Sequence, residues 1–78
     1  MKFVVSFDYS RLRGRIVEKF GTIQTFSKAF GITNPTMSAK LNGKSSFTSD
    51  EIVKACELLD IDPSEINAYF FAVAVKGV

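Results

Sequence analysis

Small hydrogen-bonding side chains cluster in residues 34–40, which have the sequence NPTMSAK. Amide, hydroxyl and ammonium groups at this spacing can hydrogen-bond to the edges of bases, and small methyl groups can contact the methyl group of thymine. On a helix, Met37 and Leu41 would lie on one face and small residues such as Thr36 on the opposite face. The outward face is therefore slim and almost uncharged, which is typical of a helix that enters the major groove of DNA.

The composition gives little support to a catalytic function. The chain has no His, and its single cysteine, Cys56, shares a predicted helix face with apolar residues. The run Gly43-Lys44-Ser45 resembles part of a phosphate-binding loop, but Ser38 stands where that motif requires Gly. Asp60 and Asp62 lack the further ligands of a calcium loop, and helix capping explains them. We therefore expect no enzymatic activity, no metal site and no cofactor.

Two short helices joined by a tight turn are predicted between about residues 22 and 43. Ile23, Phe26 and Phe30 recur at helical spacing, and Gly31 follows as the residue that ends the first of these helices. Thr33 or Asn34 can cap the second helix through a side-chain oxygen. The spacing therefore predicts a helix-turn-helix.

Further helices are predicted before and after this pair. The first runs to about Phe20, because Gly21 follows it and apolar residues recur at helical spacing within it. The segments TSDE, residues 48–51, and DPSE, residues 62–65, carry the start signals of a fourth and a fifth helix. The predicted core stripe of the first helix consists of Leu12, Ile16, Val17 and Phe20.

The two ends of the chain alternate between apolar and other residues, at about residues 2–7 and 71–76, and this pattern predicts two strands. Because an isolated strand leaves its backbone groups unpaired, the two are expected to pair as a small antiparallel ribbon. Two roles stay open: the ribbon can complete the core of a monomer, or its edge can join a second subunit. The candidate dimer contacts are Phe3, Val5, Phe71, Val73 and Val75.

Charge is unevenly distributed along the 78 residues, which we expect to form one domain, residues 1–78. Residues 1–46 carry eight Lys or Arg and two acids, whereas residues 47–78 carry two Lys and six acids. Such a distribution is expected of a protein that presents one side to a polyanion. The apolar runs at both ends are too short to span a membrane, and a single cysteine allows no internal disulfide. We therefore expect a cytoplasmic protein.

The run FSKAFGITNPTMSAKLNGKSSF resembles the helix-turn-helix of the lambda-repressor and Cro family of phage and bacterial regulators. The resemblance lies in Ser27, Gly31, Met37 and the closing Leu41-Asn42-Gly43, and it extends from about residue 8 to residue 71. It implies a mainly α, five-helix, lambda-repressor-like DNA-binding domain, to which the predicted two-stranded β ribbon of the N- and C-terminal segments is added. Ile23 differs from the family, which often has a phosphate-contacting Gln at this position.

The resemblance implies a sequence-specific transcriptional regulator of double-stranded DNA, most like a Cro-type repressor of a phage or prophage. The implied base-reading residues are Asn34, Pro35, Thr36, Ser38, Ala39 and Lys40. The expected phosphate contacts come from Thr22, Gln24, Lys28, Asn42, Lys44, Ser45, Arg11 and Arg15. The alternative is a protein-binding antirepressor or antitoxin-like module built on the same scaffold.

Overall fold

The computed structural model describes the backbone of residues 3–77 and the side chains of residues 7–73. The described helices are α1 (Ser10–Phe20), α2 (Ile23–Phe30), α3 (Asn34–Leu41), α4 (Ser49–Leu59) and α5 (Ile66–Phe70). A 3₁₀ turn, Pro63–Glu65, precedes α5. Strand β1 (Phe3–Phe7) pairs antiparallel with β2 (Val73–Gly77), so that Val5 lies opposite Val75.

Local sequence signals set the ends of the central helices. Gly31 has a φ of 96°, a left-handed conformation that favours glycine, and it ends α2. Thr33 caps α3 with its hydroxyl, which accepts from the backbone N–H of Thr36 at 3.4 Å. Thr48 and Glu51 form the predicted capping box at the start of α4. The predicted boundaries at these residues are confirmed.

The hydrophobic core lies between the helices. Its described members are in the helices, at the start of α1 or in the turn after α4, and the most deeply buried ones include Leu12, Ile16, Phe26, Met37, Leu59 and Phe70. Burial of these side chains is the main driving force that holds α3 against the rest of the domain. Val17 was predicted in the core stripe of α1, and that prediction is wrong, because the side chain is 52% exposed.

The predicted fold class needs correction at the terminal segments. The ribbon was predicted as part of the fold, but no described strand residue belongs to the core, which the helices and their connecting turns supply. Phe7 and Val73 are 43% and 54% exposed. The segment from residue 71 is not strand at its start, because Phe71 still closes α5 through its N–H to the carbonyl of Asn67. Among the residues whose side chains are described, the core is therefore entirely that of a mainly α domain.

Two kinds of feature are absent from the part of the chain that the structure describes. No helix there has the length and hydropathy needed to cross a bilayer. In the same residues, His, Cys, Asp and Glu side chains do not gather in a group of three that could hold a metal ion.

Substitution of alanine for either of two glycines should change the free energy of unfolding in opposite directions. Gly14→Ala should raise the free energy of unfolding by about 0.5–1 kcal/mol, because Gly14 lies inside α1 and an added Cβ meets nothing within 4 Å. Gly31→Ala should lower it by about 1–2 kcal/mol through backbone strain alone, because its Cβ would meet only Lys54 Nζ at 3.6 Å. Urea denaturation of both variants tests this, and equal shifts would contradict it.

Candidate nucleic-acid interface

The outer face of α3 exposes small residues at its N-terminal end. Asn34, Pro35 and Thr36 are exposed, whereas Ser38 and Ala39 are half-buried. Five of the six residues predicted to read bases therefore have at least part of their surface in solvent. A slim helix end of this kind can approach the edges of base pairs closely.

Thr36 is held by its neighbour at the start of α3. Its hydroxyl oxygen lies 2.8 Å from that of Thr33, and its backbone N–H also bonds to Thr33. Because the hydroxyl already has a partner, the methyl group is the part of the Thr36 side chain that has no polar contact. Thr36 can therefore make an apolar contact through its methyl group as well as a hydrogen bond through its hydroxyl group.

Lys40 must be removed from the base-reading residues. Only 8% of Lys40 is exposed, and its Nζ donates to the carbonyl of Ser46 and to Glu51 Oε1, both at 2.9 Å. The ammonium also lies 5.7 Å from the centre of the Phe47 ring. A charge this deeply buried needs its partners, so it is not available to a base. Lys40 instead joins the end of α3 to the start of α4.

The carboxylate of Glu51 is the second half of this contact. Burial raises its pKa, but hydrogen bonds from the Thr48 backbone and from Lys40, together with the Lys40 charge, outweigh that effect and lower the pKa below its usual value. The same oxygen therefore completes the capping box and receives the buried ammonium.

The loop of residues 42–45 is fixed onto the last turn of α3. The backbone N–H groups of Lys44 and Ser45 both bond to the carbonyl of Ala39, at 2.9 and 3.3 Å. The side chain of Asn42 accepts from Arg13 Nη2 of α1 at 2.5 Å. The structure thus gathers Arg13, Asn42, Lys44 and Ser45 at one end of α3. This group, which we call the α3 end cluster, combines two cationic groups with hydrogen-bond donors that suit phosphate.

Arg13 was not among the predicted phosphate contacts. Helical periodicity sets it apart from the face that Arg11 and Arg15 share, and so the pattern assigned it no role. The contact with Asn42 spans 29 residues of sequence and depends on the fold, which brings the residue after α3 close to α1. The one signal in the sequence was its place in the basic half of the chain.

Arg15 has a structural role, and its assignment as a phosphate contact is corrected. Its Nε donates to the Leu59 carbonyl at 2.9 Å, and Nη2 donates to the Asp60 carbonyl at 3.0 Å. Nη1 pairs with Glu18 at 2.6 Å. Arg15 therefore satisfies carbonyl groups at the C-terminal end of α4. Arg11 is exposed and lies over the Tyr69 ring at 5.8 Å, so its described contact is with α5.

The predicted phosphate contacts on α2 are all exposed. Thr22 caps this helix by accepting from the backbone N–H of Thr25, and Gln24 and Lys28 lie on its surface. Lys54 of α4 lies near the end of the same helix, with its Nζ 5.1 Å from the centre of the Phe30 ring. Lys54, a basic residue from the acidic half of the chain, therefore adds positive charge beside the turn between α2 and α3.

Two of the five predicted dimer contacts can be located. Phe71 and Val73 are 43% and 54% exposed, and the Phe71 ring meets that of Phe7 edge to face at 5.6 Å. The side chains of the other three, Phe3, Val5 and Val75, lie outside the described residues. Phe71 and Val73 therefore contribute exposed apolar surface at this end of the domain.

A family model and a solved structure are similar to this chain. A family model described as "Protein of unknown function (DUF739)" matches residues 5–73. The solution structure of the modulator of repression (MOR) of the temperate bacteriophage TP901-1 from Lactococcus lactis is 47% identical, with a TM-score of 0.76. The alignment covers 85% of this chain and 89% of that chain. No curated protein matches.

The lowered pKa of Glu51 predicts how stability depends on pH. A carboxylate whose pKa is lowered by folding stabilises the protein above its unfolded pKa, and this contribution is lost as pH falls through the lower folded pKa. Glu51→Gln should therefore lower the free energy of unfolding by about 1–3 kcal/mol at pH 6, since it removes the charged partner of Lys40.

The same variant provides its own control at low pH. Near pH 3 the difference from the parent protein should shrink, because Glu51 is then increasingly protonated in the parent. Urea denaturation at both pH values measures it. A difference that stays the same at pH 3 and pH 6 would show that the charge of Glu51 does not stabilise the fold.

Proposed function

The chain belongs to the family described as DUF739, a family of unknown function, and we propose that it is a phage regulatory protein that binds double-stranded DNA. The related lactococcal phage protein is named a modulator of repression, which supports a regulatory role. The observation that carries DNA binding is the exposed outer face of α3 beside the α3 end cluster. α2 and α3 act in this proposal as a helix-turn-helix of the lambda-repressor and Cro type, and the protein acts as a repressor.

Base recognition is assigned to the N-terminal half of α3. The amide of Asn34 can donate to and accept from adenine, and the methyl group of Thr36 can contact that of thymine. Ser38 and Ala39, which are half-buried, contribute at the margin of the groove. Lys40 takes no part, because its ammonium is committed to Glu51 and Ser46.

Phosphate binding is assigned to both sides of α3. Arg13, Asn42, Lys44 and Ser45 form the α3 end cluster on one side. Thr22, Gln24 and Lys28 lie on α2, whose N-terminal N–H groups favour an anion. These contacts fix the orientation of α3 and give a salt-dependent affinity that is independent of sequence.

A homodimer is part of the proposal. Two copies joined through the surface around Phe71 and Val73 would present two α3 helices to half-sites about 34 Å apart. Such a regulator acts on DNA in the cytoplasm of the host cell. It works by occupying its operator and needs neither catalysis nor a cofactor.

Retardation of DNA in a gel tests this function directly. The probe is the DNA that flanks the gene of this protein, with a shuffled sequence of equal length as control, at two salt concentrations. We expect the flanking DNA to be retarded more strongly than the control, and both to be released as salt rises. Absence of any retardation at low salt would overturn the proposal.

Two observations favour a second candidate function, that of a protein-binding antirepressor. The related phage protein is named for modulating repression, and modulation can be exerted on a repressor as well as on its operator. The outer face of α3 also has no Arg or Gln for bidentate recognition of guanine. If the gel shows no retardation, this function takes precedence.

Substitutions on α3 and in the loop after it should separate base reading from phosphate binding. Thr36→Ser keeps the hydroxyl that bonds to Thr33 and removes only the methyl group, so it should reduce discrimination among operators by about 1–3 kcal/mol. Asn34→Ala should have a similar effect. Lys44→Ala should weaken all DNA alike and reduce the salt slope by about one unit. Equal losses on specific and random DNA in all three variants would contradict the assignment.

Arg13 and Arg15, two positions apart on α1, should behave differently. Arg13→Ala should weaken DNA binding and reduce the salt slope by about one unit, with little change in stability, because its described partner is the Asn42 side chain. Arg15→Ala should lower the free energy of unfolding by about 1–3 kcal/mol, because it leaves two backbone carbonyls without their donor. Gel retardation and urea denaturation of both variants measure this. The reverse pattern would contradict both roles.

A further inference from the structure

A groove of about 380 Å³ lies along α4 beside the turn that leads to α5. Val53 and Cys56 of α4 and Ile66 of α5 contribute apolar surface to it. Glu57 and Asp60, both exposed, lie at its edge. Val53 is an apolar residue of this lining and is 55% exposed. The groove therefore combines an apolar floor with acidic side chains.

None of the lining residues belongs to α2, to α3 or to the loop of residues 42–45. The proposed DNA contacts do not use this surface, and its carboxylates would repel a phosphate backbone. A ligand in the groove and DNA on α3 would thus contact different residues. A ligand of the groove must therefore differ in its chemistry from the phosphate backbone of DNA.

The charged residues that line the groove are acidic. Asp62 and Glu65 belong to the same turn as the groove, and they add two further acids to Glu57 and Asp60. Arg15 reaches this turn, but its guanidinium is engaged by Glu18 and by backbone carbonyls. A partner that buried apolar side chains here would gain from carrying positive charge beside them.

The size and the lining distinguish between kinds of occupant. A volume of about 380 Å³ lies at the low end for a site that encloses a small molecule. The two carboxylates at the edge are exposed, which suits lysine or arginine side chains that remain partly in water. Apolar side chains one helical turn apart, on a helix with basic flanks, match this arrangement.

A second copy of this chain does not supply such a helix from its described residues. Among its exposed large hydrophobic side chains, Val17 is the one on α1 and Val53 the one on α4, and the others, Phe7, Phe71 and Val73, lie in or beside the ribbon. No described helix therefore presents two exposed large apolar side chains one turn apart. The described residues therefore favour a helix of another protein as the occupant.

We propose that this groove, formed by α4 and the turn to α5, binds a basic amphipathic helix of a partner protein. The inference goes beyond DNA binding and does not depend on it. It gives the second candidate function a binding surface that is distinct from α3.

Cys56 allows occupation of the groove to be measured on the intact protein. It is the only cysteine of the chain and it lines the groove, so its rate of labelling by uncharged N-ethylmaleimide reports access. The probe is a peptide of about 14 residues with Leu at helical spacing and Lys elsewhere. At about ten times its Kd it should slow labelling about tenfold, because only unoccupied protein reacts. The same peptide with Glu in place of Lys should give no protection.

Matched variants identify the surface. Val53→Glu should abolish protection, whereas Val17→Glu, at a similarly exposed apolar position outside the groove, should keep it. The double variant Glu57→Lys and Asp60→Lys should also lose protection. Circular dichroism of each variant shows that it is folded, and gel retardation should be unchanged in all of them.

Several outcomes would overturn the proposal. These are equal protection by the Lys and Glu peptides, protection that survives Val53→Glu, or labelling that slows with protein concentration when no peptide is present. The last result would identify a second copy as the occupant. If the parent protein fails to retard DNA but the Lys peptide protects Cys56, the proposed DNA-binding function fails and this inference stands.

Discussion

The buried ammonium of Lys40 is the constraint that fixes the last turn of α3, a helix that apolar burial holds against the domain. Removing this charge from water is costly, and the cost is offset only when the carbonyl of Ser46 and the carboxylate of Glu51 are both in place. Those two partners lie on either side of the entry into α4. The last turn of α3, the loop that follows it and the start of α4 are therefore held as one unit. Residues at the other end of α3 can then be small and exposed, because they are not needed to fix the helix.

Features that depend on neighbouring residues could be predicted from the sequence. The turn at Gly31, the cap at Thr33 and the capping box at Thr48 each involve groups within about four residues of one another, so composition and spacing specify them. The burial of Met37 and Leu41 followed from helical periodicity. Periodicity did not distinguish Val17 from a core residue, because an apolar side chain at the edge of a stripe can be left in solvent.

The roles of the basic residues depend on distant partners and could not be predicted in the same way. Lys40 meets an acid 11 residues away, and Arg15 meets carbonyls 44 and 45 residues away. Long side chains reach such partners in directions that the helix face alone does not determine. The groove beside α4 has the same origin, because it forms where the turn at Pro63 brings α5 next to α4. Charge counts placed most of the Lys and Arg residues in one half of the chain. Only packing decides which of these side chains remain available to bind a partner.

The charges that remain available should be insensitive to mild acidification of the surrounding solution. The chain has no His, the residue whose ordinary pKa lies closest to neutrality. Burial raises the pKa of the Cys56 thiol, and hydrogen bonds lower the pKa values of Asp8 and Asp62, so these groups titrate further from neutral pH. Protons are therefore a poor signal for this molecule. Ions and competing macromolecules are the agents that can change how strongly its surface attracts a partner.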